Sequence, residues 1–273
     1  MKTAVCLTHL LRLFIGLLLL SSASLARADG LNLFVQPIAS EAKTEQAFKP
    51  LADYLSKQIG IPVTVHTESS FLAYWERMRR VEGFDLVLDA AHFTDYRVQH
   101  YHYQVLAKVP DTVSFSLVTS QDLLVLDAQD LIGASIATAA SPSLGGVRMA
   151  EIYPNPMRQP SLVSVDNFQL ALDKLHSGAV RAALVPTPMV RNDNTVNTVL
   201  STKPVPHMAL SASPGVDTRT RQAIREALLN AAKTEQGRSM LEALNYTQFE
   251  PASNSTYKGF EQLLSGVWGY EGN

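Results

Sequence analysis

Apolar and polar positions follow the same plan in two segments of the chain, about a hundred residues apart. Residues 71–93 read FLAYWERMRRVEGFDLVLDAAHF, and residues 168–189 read FQLALDKLHSGAVRAALVPTPM. Each segment opens with apolar residues at helical spacing, continues through a glycine and closes with a short apolar run. This spacing predicts an amphipathic helix that ends at Gly83 or Gly178 and leads into a buried strand. The repetition therefore predicts two similar α/β lobes.

The rest of the chain also alternates between strand and helix patterns. LNLFV at residues 31–35 predicts a buried first strand, and a helical pattern that ends at Gly60 follows it. We interpret residues 101–108 and 113–119 as strands that carry the chain from one lobe into the other. Two facing α/β lobes would place a ligand site between them, because ligands bind at the carboxyl ends of the strands in open α/β sheets.

The first residues have the composition of a secretory signal. Lys2 and Arg12 precede or flank an apolar stretch that is too short to span a bilayer, and Ala26-Arg27-Ala28 fits an A-x-A cleavage site. We therefore predict a signal peptide over residues 1–28, cleaved after Ala28, and a periplasmic location. An uncleaved anchor is the alternative.

The predicted mature chain has 245 residues, which is enough for one large core or two small ones. It has 20 basic and 25 acidic residues and no basic stripe, which argues against nucleic acid as a partner. Cys6, the one cysteine of the chain, leaves with the signal, so packing without a disulfide must hold the fold. No later apolar stretch is long enough to span a membrane.

Five segments carry a resemblance to a known family, in the family's order: KPLADYLSKQIGIPVTV, GFDLVLDAAHF, DAQDLIGASIATAASPSLGG, STKPVPHMALSASPGVDTRTRQAIREALL and EQGRSMLEALNYTQFEPASNSTY. Together they resemble the periplasmic phosphate/phosphonate-binding protein family. The resemblance implies an α/β type II periplasmic binding protein fold, in which two lobes, each a mostly parallel sheet flanked by helices, enclose a cleft. It also implies a small-molecule ligand, no cofactor and delivery to the permease of an ABC importer.

We place lobe 1 at residues 29–120 and 206–273 and lobe 2 at residues 121–205. The protein is expected to be a monomer, because closure needs lobes that are free to move. Binding would occur by lobe closure around the ligand, followed by transfer to a membrane partner.

The stretch ASPSLGG at the start of lobe 2 matches the family's ligand loop. Family members that bind phosphonates hold the anion at a helix N-terminus, where free backbone N–H groups attract oxyanions. The resemblance therefore implies ligand contacts at Ser141, Ser143, Leu144 and Gly145. Against the family pattern Ser-Thr-Ser-Gly, Ser143 and Gly146 are kept, whereas Leu144 and Gly145 replace two hydroxyl side chains.

Three phenylalanines fall where the family tends to have polar contact residues. Phe71 and Phe93 stand at places where tyrosine is common, and Phe168 stands where histidine is common. Each lost donor to a buried anion costs about 1–3 kcal/mol. Asp89, at the end of the first repeated segment's strand, could contact a polar head group or cap a helix.

These changes predict a cleft with apolar walls and favour a hydrophobic or lipid-like ligand over a simple oxyanion. Two alternatives remain open. The protein could bind a phosphate- or phosphonate-type oxyanion for an ABC importer. It could also be a ligand-binding sensor or lipid carrier that uses the same fold and docks on a receptor or a lipid transporter.

Catalytic and metal sites are not predicted. His100 and His102 would share one face of a strand, but no further ligand is spaced to complete a metal site with them and His92. The chain has no nucleophile elbow, P-loop or H-E-x-x-H motif, and Ser143 has no placed base. A binding protein is therefore favoured over an enzyme.

Overall fold

A computed structural model describes residues 30–80 and 83–272. The predicted signal peptide and its cleavage site lie outside the described residues. Across the described ranges, no helix combines the length and the hydropathy needed to cross a membrane.

The described chain alternates strands and helices from its first element onward. Its first part contains β1 (Leu31–Val35), α1 (Glu41–Ile59), β2 (Val63–His66), α2 (Phe71–Arg80), β3 (Leu86–Asp89), α3 (Ala91–Tyr101), β4 (Gln104–Lys108), β5 (Thr112–Val113) and β6 (Phe115–Ser120). Next come a 3-10 turn (Ala128–Leu131), β7 (Ser135–Ala139), α4 (Leu144–Ile152), β8 (Ser161–Val165), α5 (Phe168–His176), β9 (Ala182–Pro186), α6 (Thr187–Val190), β10 (Val196–Ser201), β11 (Val205–Pro206) and β12 (Ala209–Ala212). The last part contains α7 (Thr218–Asn230), a 3-10 turn (Ala231–Lys233), α8 (Glu235–Ala243), α9 (Asn254–Tyr257) and a 3-10 turn (Phe260–Leu264).

Two five-stranded sheets form the two lobes. In lobe 1 the strand order is β2-β1-β3-β12-β4, and in lobe 2 it is β10-β6-β9-β7-β8. The parallel pairs are β1 with β2 and β3 in lobe 1, and β7 with β8 and β9 in lobe 2, while the other pairs are antiparallel. The prediction of two α/β lobes is confirmed.

The first sheet has helices on both faces because its strands alternate which side chains face each layer. Leu33 and Val35 of β1 pack in a core with α1, α7 and α8, while Phe34 points into an aromatic core with α2. Helix α1 is continuous through Pro50 and ends at Gly60, which has the left-handed conformation expected of a C-terminal glycine.

The crossing between lobes lies earlier than predicted. Strand β6 pairs with β9 and β10, so residues 115–120 belong to the second sheet and not to lobe 1. The chain crosses at β5, which pairs with the returning strand β11 as a two-stranded ribbon. The sequence of a buried strand is compatible with either lobe, and the sheet to which it belongs is decided only by the strands that pair with it.

Helix α3 corrects the prediction of a loop and a strand after β3. His100 lies in this helix and contacts Glu261, while His102 follows the helix in the left-handed conformation, so the two do not share a strand face. The helix was missed because it has little amphipathic pattern. Buried polar residues such as Asp95 and Arg97 stand on its inner side.

The two lobes pack closely against each other around the crossing. One core joins Ala91 and Ala209 of lobe 1 to Phe115 and Leu144 of lobe 2. The C-terminal segment reinforces this junction. The Tyr257 hydroxyl donates to the His207 carbonyl beside β11, and the last 3-10 turn contacts both α3 and α4.

Candidate functional site

A cavity of about 340 Å³ lies between the lobes, where the parallel strands of both sheets end. Gln36 follows β1, Ala90 follows β3, and Pro186 ends β9. The lining residues, drawn from both lobes and from the crossing, are Gln36, Ile38, Phe71, Ala90, Val113, Phe115, Leu144, Phe168, Gln169, Pro186, Pro188, Met189, His207 and Met208. Carboxyl ends of parallel strands are where open α/β sheets bind ligands, so this cleft is the candidate site.

Helix α4 begins at the cavity wall and is capped by the residue before it. The Ser143 hydroxyl donates to the Ala139 carbonyl (2.7 Å) and accepts from the Gly146 N–H (3.0 Å). Within the described part of the chain, the N–H groups of Leu144 and Gly145 have no acceptor. The capping bonds use the Ser143 hydroxyl, so the free donors at this helix start are backbone groups.

Gly145 is held in a tight packing environment. A Cβ atom at this position would lie 2.5 Å from Thr138 Oγ1 and 2.7 Å from a ring carbon of Phe168. Thr138 is itself fixed, because its hydroxyl donates to the Leu184 carbonyl (2.7 Å). The family's hydroxyl side chain therefore has no room here, and glycine lets the ring of Phe168 approach the helix backbone.

Aromatic rings from both lobes meet at the cavity. The ring centroids of Phe71 and Phe168 are 6.5 Å apart across the lobes, and Phe115 packs edge-on against Phe168 with centroids 5.2 Å apart. Phe71, Leu144 and Phe168 are the predicted contact residues that line the cavity. Phe93 was predicted to contact the ligand, but it does not line the cavity. It is fully buried in the aromatic core, where its ring packs against Phe71.

Asp89 is committed to a buried ion pair instead of the expected ligand contact. Both of its carboxylate oxygens accept from the Arg97 guanidinium, and Tyr74 and Thr94 each donate a hydroxyl to it (2.8 and 2.9 Å). Asp89 and Arg97 are almost fully buried. Burial opposes the charge of Arg97, but the Asp89 carboxylate more than offsets this and raises the guanidinium pKa. The pair fixes the end of β3 to α3 beneath the cavity.

Two histidines beside the cleft, His92 (buried) and His207 (half-buried), have lowered pKa values. The ring of His92 in lobe 1 donates from Nε2 to the Pro142 carbonyl of lobe 2 (2.9 Å), and burial lowers its pKa to about 4. His207 lines the cavity beside β11, and burial, followed by the Lys108 charge, lowers its pKa to about 4. Because His207 Nδ1 accepts from the Met208 N–H (2.8 Å), its proton lies on Nε2.

The remaining predicted contacts lie next to the cavity but not in its wall. Ser141 is exposed at the start of the loop, and Ser143 and Gly145 are buried. Sequence reasoning missed Phe115, His207 and Met189. For His207, the available signal was its place directly after the returning strand in KPVPH.

Metal binding finds no support in the described ranges, where no group of three or more His, Cys, Asp or Glu side chains converges. The donors available at the cleft are backbone N–H groups, the Gln169 amide and the His207 ring. These suit an uncharged group or an oxyanion held by neutral donors.

Comparisons with known proteins identify the family and the fold. Residues 33–257 match the family model described as "ABC transporter, phosphonate, periplasmic substrate-binding protein". No curated protein sequence matches the chain significantly.

Three solved structures share the fold. PhnD1 from Prochlorococcus marinus, in complex with methylphosphonate, has a TM-score of 0.75 at 15% identity over 88% of this chain and 98% of that one. A binding protein component of an ABC phosphonate transporter from Pseudomonas aeruginosa has a TM-score of 0.73 at 12% identity over 86% and 85%. XAC2383 from Xanthomonas citri, bound to ATP, has a TM-score of 0.70 at 17% identity over 88% and 97%.

These relatives confirm the predicted type II periplasmic binding protein fold. The family model covers most of the chain. The protein therefore belongs to the periplasmic substrate-binding proteins of ABC phosphonate transporters.

Proposed function

We propose that this protein captures a phosphonate-type oxyanion in the cleft between its lobes and transfers it, as a monomer, to the permease of an ABC importer. Membership of the phosphonate-binding family supports the ligand class. The observation that carries the proposal is the start of α4, where Leu144 lines the cavity and the N–H groups of Leu144 and Gly145 have no acceptor in the described structure.

The oxyanion would bind without a basic side chain. The N–H groups of Leu144 and Gly145 donate to its oxygens, and the positive end of the α4 dipole favours its charge. His207 Nε2–H supplies a third donor from the crossing. Hydrogen bonds to a charged acceptor are about twice as strong as neutral ones, so a few fixed donors suffice.

Capture and release would follow from the two-lobed design. Donors of lobe 2 and the crossing face the wall that Phe71 and Ala90 form in lobe 1. A ligand that contacts both lobes stabilises the closed form over the open one. The permease would then receive ligand only from the closed protein.

Isothermal titration calorimetry with methylphosphonate, inorganic phosphate and sulfate tests the proposal. The sharpest variant is Leu144→Pro, which removes one N–H at the first helical position, where proline is well tolerated. Ser143 already has the extended conformation that a residue before proline requires (φ −54°, ψ 156°). Methylphosphonate affinity should fall about tenfold or more.

Two controls isolate the lost donor. Leu144→Ala shortens the side chain but keeps the N–H, and should retain more affinity than the proline variant. Thr218→Pro places proline at the same helical position of α7, away from the cleft, and should leave binding unchanged. The proposal fails if no phosphonate binds the wild-type protein, or if Leu144→Pro binds methylphosphonate as tightly as Leu144→Ala.

A hydrophobic ligand is the second candidate, favoured by the apolar walls that Phe71, Phe115 and Met189 provide. The family match does not support this sequence-based preference and favours the phosphonate alternative. As a sensor or carrier, the protein would co-purify with a lipid or aromatic molecule. Native mass spectrometry of protein purified from its own periplasm would detect such a ligand.

A further inference from the structure

The cleft contains no formal charge among the residues that line it in the described structure. Its polar side chains are Gln36, Gln169 and His207. The amide of Gln36 is already used, since its oxygen accepts from the Ala90 N–H (3.0 Å) and its nitrogen contacts Met208 Sδ. A ligand group that carries an ammonium charge would be desolvated here without a carboxylate partner, which is strongly unfavourable.

Phe168 occupies the centre of this uncharged wall. It is half-buried, packs against Phe115 within lobe 2 and reaches Phe71 of lobe 1. Its ring also lies over the backbone of Gly145, beside the proposed oxyanion donors.

The position of Phe168 is fixed by its own helix. Asn167 caps α5 with its side-chain oxygen, which accepts from the Leu170 N–H (3.0 Å). The first residue of α5 therefore cannot withdraw from the cleft without losing the cap. A substituent larger than a methyl group, on a ligand held at α4, would therefore meet the ring of Phe168.

We propose that Phe168 is the specificity-determining residue of the cleft, and that it selects phosphonates whose substituent is uncharged and apolar. This inference rests on the proposed phosphonate function. An apolar substituent buries its surface against the rings of Phe71, Phe115 and Phe168, whereas a charged substituent loses its hydration.

Calorimetry with three phosphonates tests the selection. Methylphosphonate reports on the oxyanion donors alone, phenylphosphonate adds an apolar ring, and 2-aminoethylphosphonate adds a cation. Wild-type protein should bind phenylphosphonate at least tenfold more tightly than 2-aminoethylphosphonate. Equal affinity for these two, or a preference for the cation, overturns the inference while methylphosphonate binding still supports the proposed function.

Variants assign the selection to Phe168. Phe168→Ala should lower phenylphosphonate affinity at least tenfold and change methylphosphonate affinity less than threefold. Phe168→Leu keeps an apolar side chain for packing and should give an intermediate loss. Leu170→Ala, on the exposed side of the same helix, is the matched control and should change neither affinity.

The outcomes separate the two proposals. Equal losses for methylphosphonate and phenylphosphonate in Phe168→Ala, with circular dichroism and thermal midpoint retained, show a structural role and overturn the inference. Failure of all three phosphonates to bind the wild-type protein overturns the proposed function itself.

Discussion

The two repeated segments of the chain have the same local structure but different surroundings. Each helix begins with a phenylalanine that faces the cleft, Phe71 in lobe 1 and Phe168 in lobe 2. Each is capped by the preceding residue, since Ser70 Oγ accepts from the Ala73 N–H (3.2 Å) and Asn167 Oδ1 from the Leu170 N–H (3.0 Å). Similar sequence patterns thus position the two rings opposite each other.

The difference lies in what covers each segment. Helix α2 is enclosed by the C-terminal tail, where the Trp75 indole donates to the Trp268 carbonyl (2.9 Å) and Arg79 to the Gly269 carbonyl (3.0 Å). Its strand ends in the buried pair of Asp89 and Arg97. The second segment ends at Pro186 and a four-residue helix, with no ion pair in its described strand. Lobe 1 therefore provides a rigid wall, and lobe 2 carries the donors and Phe168.

Of the variants proposed here, Asp89→Asn should reduce the stability most, because it removes the buried ion pair that distinguishes the first segment from the second. The substitution leaves the Arg97 guanidinium buried without its counter-charge, which costs about 3–5 kcal/mol of unfolding free energy. Urea denaturation followed by circular dichroism measures the loss. Asp53→Asn disrupts the exposed Lys49–Asp53 pair and should cost less than about 1 kcal/mol. A similar small cost for both variants would contradict the anchoring role of Asp89.

Acid should weaken the first segment's link to lobe 2 through His92. His92 lies three residues after the strand of the first segment. The corresponding position in the second segment is Met189, which does not titrate. Burial lowers the His92 pKa from 6.5 to about 4. The hydrogen bond to the Pro142 carbonyl and the Asp89 charge raise this pKa by smaller amounts, and the Arg148 and Arg97 charges lower it further. A lowered pKa means that the unfolded state binds the proton more tightly. The stability is therefore complete above pH 6.5 and is lost as the pH falls toward 4.

At pH 5 this loss amounts to about 2 kcal/mol of unfolding free energy. Urea denaturation of wild-type protein at pH 7.5 and pH 5 measures it. The variant His92→Gln keeps a donor for the Pro142 carbonyl but does not titrate, so its stability should fall less over the same interval. His207 titrates in both proteins and cancels in the difference. Identical pH profiles would show that His92 is not the responsible group.

Loss of the two caps should have the smallest effect and should be equal in the two lobes. Ser70→Ala and Asn167→Ala each remove one side-chain acceptor from a helix start, at a cost of about 1 kcal/mol. Thermal and urea denaturation give the two values. Costs that differ by more than about 1 kcal/mol would mean that the segments are not equivalent even locally.

The sequence predicted those parts of the fold that depend on short-range pattern. The periodic helices and the glycine that ends α1 follow from local rules. Helix α3 was not predicted because polar residues lie on its inner side. These residues can be buried only because they bond to partners that are distant in the sequence. The early crossing was not predicted because β6 is buried on both sides and its sequence would suit either sheet.

The candidate site divides in the same way. The start of α4 could be predicted, because Pro142 and the two glycines of ASPSLGG are typical of a loop that leads into a helix. The burial of Phe93 in the core could not be predicted. Residues of the same helix can face either the cleft or the core, and the sequence does not show which side of this helix faces inward. His207 lines the cavity because it follows β11, whose pairing with β5 forms the crossing between the lobes.

By itself, the sequence determined the family, the two α/β lobes and the matching phenylalanines, because each depends on residue order and local periodicity. The tertiary structure alone decided that Asp89 is paired with Arg97, that Phe168 covers Gly145 and that His207 reaches the cleft. These features join residues that are distant in the chain or on unpatterned surfaces. Only packing can select such contacts, because their free energy arises when water is excluded from both partners at once.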